Sequence, residues 1–164
     1  MTVVVVASNW LVQYPINDVL TWGAITYPFS FLITDLTTRL HGPVRARQVV
    51  LAGFALAVVL SIWLATPRIA LASGTAFLVG QLLDIQVFQR LRAGSWWRAP
   101  LVSSTMGSIL DTAVFFSLAF AGTEMPWITL ALGDLGVKLV LAVLALAPFR
   151  AVLALALPAA PMRT

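Results

Sequence analysis

Long apolar runs, separated by only a handful of polar residues each, decide what this chain can become. A helix that crosses a bilayer needs roughly 20 mostly apolar residues. Runs of that kind recur at about 1–14, 20–40, 47–66, 68–91, 99–121 and 127–149. The 164 residues are 60% apolar and 10% charged, against about 25% charged in an average soluble domain. A water-soluble core could not hide that much apolar surface, so the excess faces lipid. The expected fold is all-α: one polytopic membrane domain over residues 1–164 with six transmembrane helices. The first run is short, but it lacks the charged leader and small-residue cleavage site of a signal peptide. It therefore reads as a short or tilted first span. The connections are too short for a soluble domain, no internal repeat is evident, and the tail 151–164 reads as fraying.

The arginines orient these spans. Arg39, Arg45 and Arg47 surround the connection after span two, and Arg90, Arg92 and Arg98 surround the one after span four. Arg150 and Arg163 follow span six, while the opposite side holds Asp18, Arg68 and Glu124. Basic residues concentrate in cytoplasmic loops, so both termini are expected in the cytoplasm. An odd number of spans would scatter the asymmetry. Trp22, Trp63, Trp96, Trp97 and Trp127 fall near predicted span ends, where an interfacial aromatic belt would place them.

Several classes of chemistry drop out. There is no cysteine, so disulfides, thiol nucleophiles and thiolate metal sites are excluded together. The single histidine, His41, cannot build a multi-histidine metal site and lies at a turn beside Gly42 and Pro43. No serine has a plausible activating base beyond the carboxylates, so an enzyme is not expected, nor a cofactor or metal. The net charge of +4 is spread between apolar runs and gathers on no polar face, which argues against nucleic acid as a partner.

The remaining information lies in polar residues inside the spans, since a charge near the bilayer centre costs a few kcal/mol and usually faces the bundle interior. Span three offers only Ser61 and reads as a lipid-facing scaffold. In span two, Pro28 predicts a kink, and Asp35 and Arg39, four apart, are expected to form a structural ion pair. Span four aligns Gln81, Asp84 and Phe88 on one face, and span five aligns Ser104, Gly107, Ser108 and Asp111. Small residues on that stripe permit close helix approach, but packing needs no carboxylate at Asp111. Span six places Asp134 and Lys138 one turn apart, where a local pair is the bland alternative, and span one offers Asn9 and Gln13. Three deep carboxylates against one lysine imply protonation or a visiting group that brings donors or positive charge. The expected substrate site is lined by Asn9, Gln81, Asp84, Phe88, Ser104, Asp111, Asp134 and Lys138.

Several stretches, in order, carry a family likeness. They are Ser8 to Pro15, then Trp22-Gly23-Ala24 through Pro28 to Asp35-Leu36-Thr37-Thr38-Arg39, then Gly80-Gln81-Leu82-Leu83-Asp84 with Val87-Phe88. Trp96-Trp97 with Pro100, Ser103-Ser104-Thr105 with Gly107, Asp111 and Thr112, and Asp134 with Lys138 follow. From about residue 8 to 149 the chain resembles the queuosine-precursor transporter family, also grouped with vitamin uptake transporters. That resemblance implies a six-helix protein of the bacterial inner membrane importing the 7-deazaguanines preQ0 and preQ1. Such a base presents N–H donors at N1 and N2, which match a carboxylate accepting two parallel bonds. Its flat ring suits aromatic walls, for which Tyr27, Phe31, Phe77, Phe88 and Phe115 are candidates. The alternative is a substrate-binding subunit of a multi-subunit vitamin uptake transporter. In either case the expected partners are a small 7-deazaguanine and the lipid bilayer, and the span-five stripe could serve partner docking or a homodimer.

Overall fold

The computed structural model describes residues 1, 4, 7, 11, 15–17, 20–64 and 66–156. Most of expected span one, including Asn9 and Gln13, therefore lies outside the described residues. A short antiparallel pairing joins β1 (Pro15–Asn17) to β2 (Leu20–Thr21); the other elements among the described residues are helices. Expected span two is divided into α1 (Trp22–Thr26) and α2 (Phe29–His41). Pro28 causes the division, because its nitrogen has no hydrogen and its ring crowds the preceding turn. Tight bonds bridge the gap: the Ser30 amide donates to the Tyr27 carbonyl at 2.9 Å, and the Phe31 amide to that of Pro28 at 3.1 Å.

One residue turns the chain from α2 into α3 (Pro43–Leu64). Gly42 takes φ 85°, a conformation that side-chain-bearing residues rarely adopt, and Pro43 opens the next helix where a missing N–H costs nothing. α4 (Pro67–Leu91) starts with Pro at its first position and Thr66 as its cap, the Thr66 hydroxyl accepting from the Ile69 amide. α5 (Arg98–Phe120) and α6 (Trp127–Leu144) follow. Beyond them the expected end near residue 149 is corrected: after a break at Ala145 the chain continues as α7 (Leu146–Ala156). The ring of Pro148 crowds the carbonyl four residues earlier, at Leu144, where α6 stops. The helix then resumes because Phe149 and Leu153 are buried with Phe88 and Ala99.

Among the described residues, four helical stretches are long and apolar enough to cross a membrane: α3, α4, α5, and α6 with its continuation α7. Only 17% of the α3 window is buried against 44% for α4, so α3 is peripheral and α4 central. Outward-facing Leu51, Val59, Leu71, Ile109, Leu132 and Val140 make the apolar exterior that lipid would cover.

α4 and α5 pack most closely, and glycine sets the distance. A Cβ on Gly107 would lie 2.7 Å from the Phe31 ring and 3.0 Å from the Gly80 carbonyl oxygen. A Cβ on Gly80 would lie 3.0 Å from the Asp111 Cβ. As α4 runs from Gly80 to Asp84, its neighbour runs back from Asp111 to Gly107, so the helices are antiparallel. They are also related in sequence, by a repeat too weak to be obvious along the chain, where only a faint inverted symmetry stays open. Gly80-Gln81-Leu82-Leu83-Asp84-Ile85-Gln86-Val87-Phe88 matches Gly107-Ser108-Ile109-Leu110-Asp111-Thr112-Ala113-Val114-Phe115 at Gly, Leu, Asp, Val and Phe. The same 27-residue offset (Gly80 to Gly107) superposes the buried faces: Ala72 on Ala99, Ala76 on Ser103, Phe77 on Ser104, Gln81 on Ser108 and Ile85 on Thr112. Gly80 faces Asp111 as Gly107 faces Asp84, the reciprocity of a local two-fold.

The ends of the bundle are tied by arginine. Arg39 donates to the Arg92 carbonyl at 2.6 Å, and the Arg150 guanidinium lies 4.8 Å from the centre of the Trp96 ring. Those residues gather at one end. At the other, Arg68 donates to the carbonyls of Leu118 and Ala121 at 3.0 and 2.6 Å.

Candidate functional site

The polar side chains of the interior form two connected groups on either side of the glycine crossing. The first joins α2 to α4 and α5. The Gln81 amide donates to the Ser30 hydroxyl at 2.8 Å, and its oxygen accepts from Thr34 at 2.5 Å. Ser30, Thr34 and Thr38 recur every fourth residue, so they share the face of α2 that meets α4. Asp35 sits beside them, fully buried, and its two carboxyl oxygens accept from Ser103 at 3.0 Å and Ser104 at 2.9 Å. Asp84 adjoins Asp35 and the same serines. It is completely buried, yet among the described residues neither of its oxygens has a hydrogen-bond partner.

The second group is centred on Lys138. Its ammonium lies 2.7 Å from Asp111, 2.5 Å from Asp134 and 2.9 Å from the Thr112 hydroxyl, which accounts for its three donors. The Thr112 hydroxyl donates to Asp134 at 2.8 Å. Tyr27, placed by the Pro28 break, donates its hydroxyl to the other Asp111 oxygen at 3.0 Å. Its ring stands 5.6 Å from the ammonium and edge-on to Phe31 and Phe77. Asp111 is thus fully satisfied where Asp84 is not.

Of the expected lining residues, the structure places Gln81, Asp84 and Ser104 in the first group and Asp111, Asp134 and Lys138 in the second, with Asp134 the most open of them. The Asp134 and Lys138 pairing is present and is extended across to α5 by Asp111. Asn9 is outside the described residues. Phe88 is not part of the polar group: it packs in an apolar cluster, with its ring centre 6.2 Å from that of Phe149. The expected Asp35–Arg39 ion pair is replaced by separate partners. Asp35 faces the serines of α5, while Arg39, one turn nearer the helix end, reaches the Arg92 carbonyl. Four-residue spacing permits a pair without requiring one, and buried hydroxyls offered Asp35 the better solution.

Sequence reasoning missed Ser30, Thr34, Ser103 and Thr112 as members, and valued Tyr27 only as a ring. The usable signal was the four-residue polar period of span two, which is too polar on one face for a helix surrounded by lipid. Among the described residues no three His, Cys, Asp or Glu side chains are placed to hold a metal ion.

Lipid-length helices around a buried polar seam define a multi-pass membrane protein. The comparisons with known proteins carry this further. The profile described as "Putative vitamin uptake transporter" matches residues 21–66 and 61–153, and the chain belongs to that family. It is 36% identical to the queuosine precursor transporter of Escherichia coli (strain K12), over 92% of this chain and 81% of that protein. It is 35% identical to a probable queuosine precursor transporter of Haemophilus influenzae, over 88% and 79%. A probable queuosine precursor transporter of Bacillus subtilis is 27% identical over 62% and 57%. These relatives are transporters and not enzymes. No solved structure gave a significant match.

Proposed function

We propose that this protein imports queuosine precursors, the 7-deazaguanines preQ0 and preQ1, across the bacterial inner membrane. In this reading six spans cross the bilayer and both termini lie in the cytoplasm. The observation that carries the reading is Asp84, a buried carboxyl whose two acceptor oxygens are unused among the described residues. The guanine-like edge offers N1–H and N2–H side by side, the donor pair that a carboxylate can accept in parallel. Asp111 is a poorer anchor because Lys138 and Tyr27 already occupy its oxygens. Phe31, which abuts the crossing beside Asp84, and the adjoining Tyr27 and Phe77 supply flat apolar surface for the base.

Uptake of labelled 7-deazaguanine by the purified chain in liposomes tests the reading. Asp84→Asn keeps the shape but turns one acceptor into a donor. A charge-assisted hydrogen bond contributes about 1.5–3 kcal/mol, so affinity should fall roughly 10- to 150-fold while the variant inserts and purifies normally. Parental uptake by Asp84→Asn would refute the assignment. Uptake that requires added ATPase and coupling subunits would show a substrate-binding subunit instead of an independent carrier.

A further inference from the structure

The repeated helix pair places two carboxyl groups at equivalent positions and surrounds them differently. Asp111 on α5 has a lysine and a tyrosine hydroxyl. Asp84, its counterpart on α4, has no hydrogen-bond donor among the described residues and sits beside a second carboxyl, Asp35. We propose that Asp35 and Asp84 form a proton-binding pair that holds one proton between them. The carrier takes up and releases this proton during its transport cycle.

An ionised carboxylate only accepts hydrogen bonds. Two of them side by side in a buried interior therefore repel, and neither can satisfy the other. One proton removes both difficulties, because a protonated carboxyl becomes a donor and the remaining negative charge is shared. No side chain of the described residues can serve instead. On α2, Arg39 is committed to the Arg92 carbonyl. On α4, the Gln81 amide is committed to Ser30 and Thr34, and Arg90 is exposed. On α5, Ser103 and Ser104 already donate to Asp35, and Arg98 is exposed. On α3, Arg45 and Arg47 are exposed, and on α6, Lys138 is held by Asp111 and Asp134. With no cation free among the described residues, solution supplies the missing positive charge. A proton is the one cation that needs no coordination shell, and the backbone contact of Gly80 with Gly107 beside Asp84 leaves helices in close apposition. A base docking its N–H groups on Asp84 would leave the proton on Asp35, so cargo and proton can be carried together.

The proton site stands whether or not the cargo is a deazaguanine; its release during transport rests on the transport reading above. Infrared spectroscopy of the purified protein at neutral pH should show the carbonyl stretch of a protonated, buried carboxyl, shifted down in D2O. The band should vanish in Asp35→Asn and in Asp84→Asn. Its absence from the parent, or its survival in both variants, would overturn the pair. In liposomes loaded with a pH-reporting dye, external 7-deazaguanine should drive proton entry with the parent protein. Uptake without proton movement, or uptake driven by a sodium gradient instead, would overturn the exchange step. A protonated-carboxyl band in a protein that fails to bind 7-deazaguanine would leave the proton pair intact and refute only the ligand reading.

Discussion

Lys138 shows how one residue holds an interior together. Its ammonium is the positive partner of both Asp111 and Asp134, and Thr112 and Tyr27 complete the group. Removing one member of a buried ion pair leaves an uncompensated charge, at about 3–5 kcal/mol. Lys138→Met should therefore lower the thermal midpoint of the detergent-purified protein strongly. Lys138→Met combined with Asp111→Asn should recover part of the loss, because one stranded charge is then gone. A single Lys138→Met variant as stable as the parent would contradict this account of the group. At this scale the sequence was informative about which residues are unusual and poor about who meets whom. The four-residue spacing of Asp134 and Lys138 disclosed their pairing, whereas the same spacing misled at Asp35 and Arg39. Partners on other helices, such as Ser103 for Asp35 or Tyr27 for Asp111, depend on how helices rotate against each other, and no local pattern records that.

At the scale of elements, apolar length and local punctuation were legible. The runs at 68–91 and 99–121 became α4 (Pro67–Leu91) and α5 (Arg98–Phe120), and Pro28 broke span two as proline must. The continuation through α7 was hidden because Arg150 looks like a terminating charge. In the fold it lies against Trp96 and lets the helix proceed. The likeness of α4 to α5 was hidden too: outside a nine-residue stretch the flanks differ, and only the matching buried faces make the 27-residue offset plain. The glycine crossing gives a sharp test. Gly107→Ala would push a methyl to 2.7 Å from Phe31 and 3.0 Å from the Gly80 carbonyl, and should reduce folded yield and thermal stability. Gly136→Ala, with nothing within 4 Å, should be neutral or stabilising by up to about 1 kcal/mol, since mid-helix glycine carries an entropic cost. Equal effects of the two substitutions on the melting midpoint would contradict the packing described.

For the whole molecule, the proposed topology rests on arginine. The contacts of Arg39 with Arg92 and of Arg150 with Trp96 gather those basic residues at one end, as the loop asymmetry expects. The chain has no cysteine, so single cysteines report without background. A cysteine at Glu124 should react with an impermeant thiol reagent from the periplasmic side, and cysteines at Arg45 and Trp96 only from the cytoplasmic side. Periplasmic labelling at position 45 would invert the orientation. The central claim, that a guanine-like edge rests on the Asp84 carboxylate, is tested most directly by a double-difference binding measurement. Affinities of 7-deazaguanine and of its analogue lacking the 2-amino group are compared on the parent and on Asp84→Asn. In the parent, loss of the 2-amino group should weaken binding roughly 10-fold or more, as a charged hydrogen bond would. In Asp84→Asn that difference should nearly vanish, because the acceptor it used is gone. The same fold-difference in both proteins would mean that the base is read elsewhere.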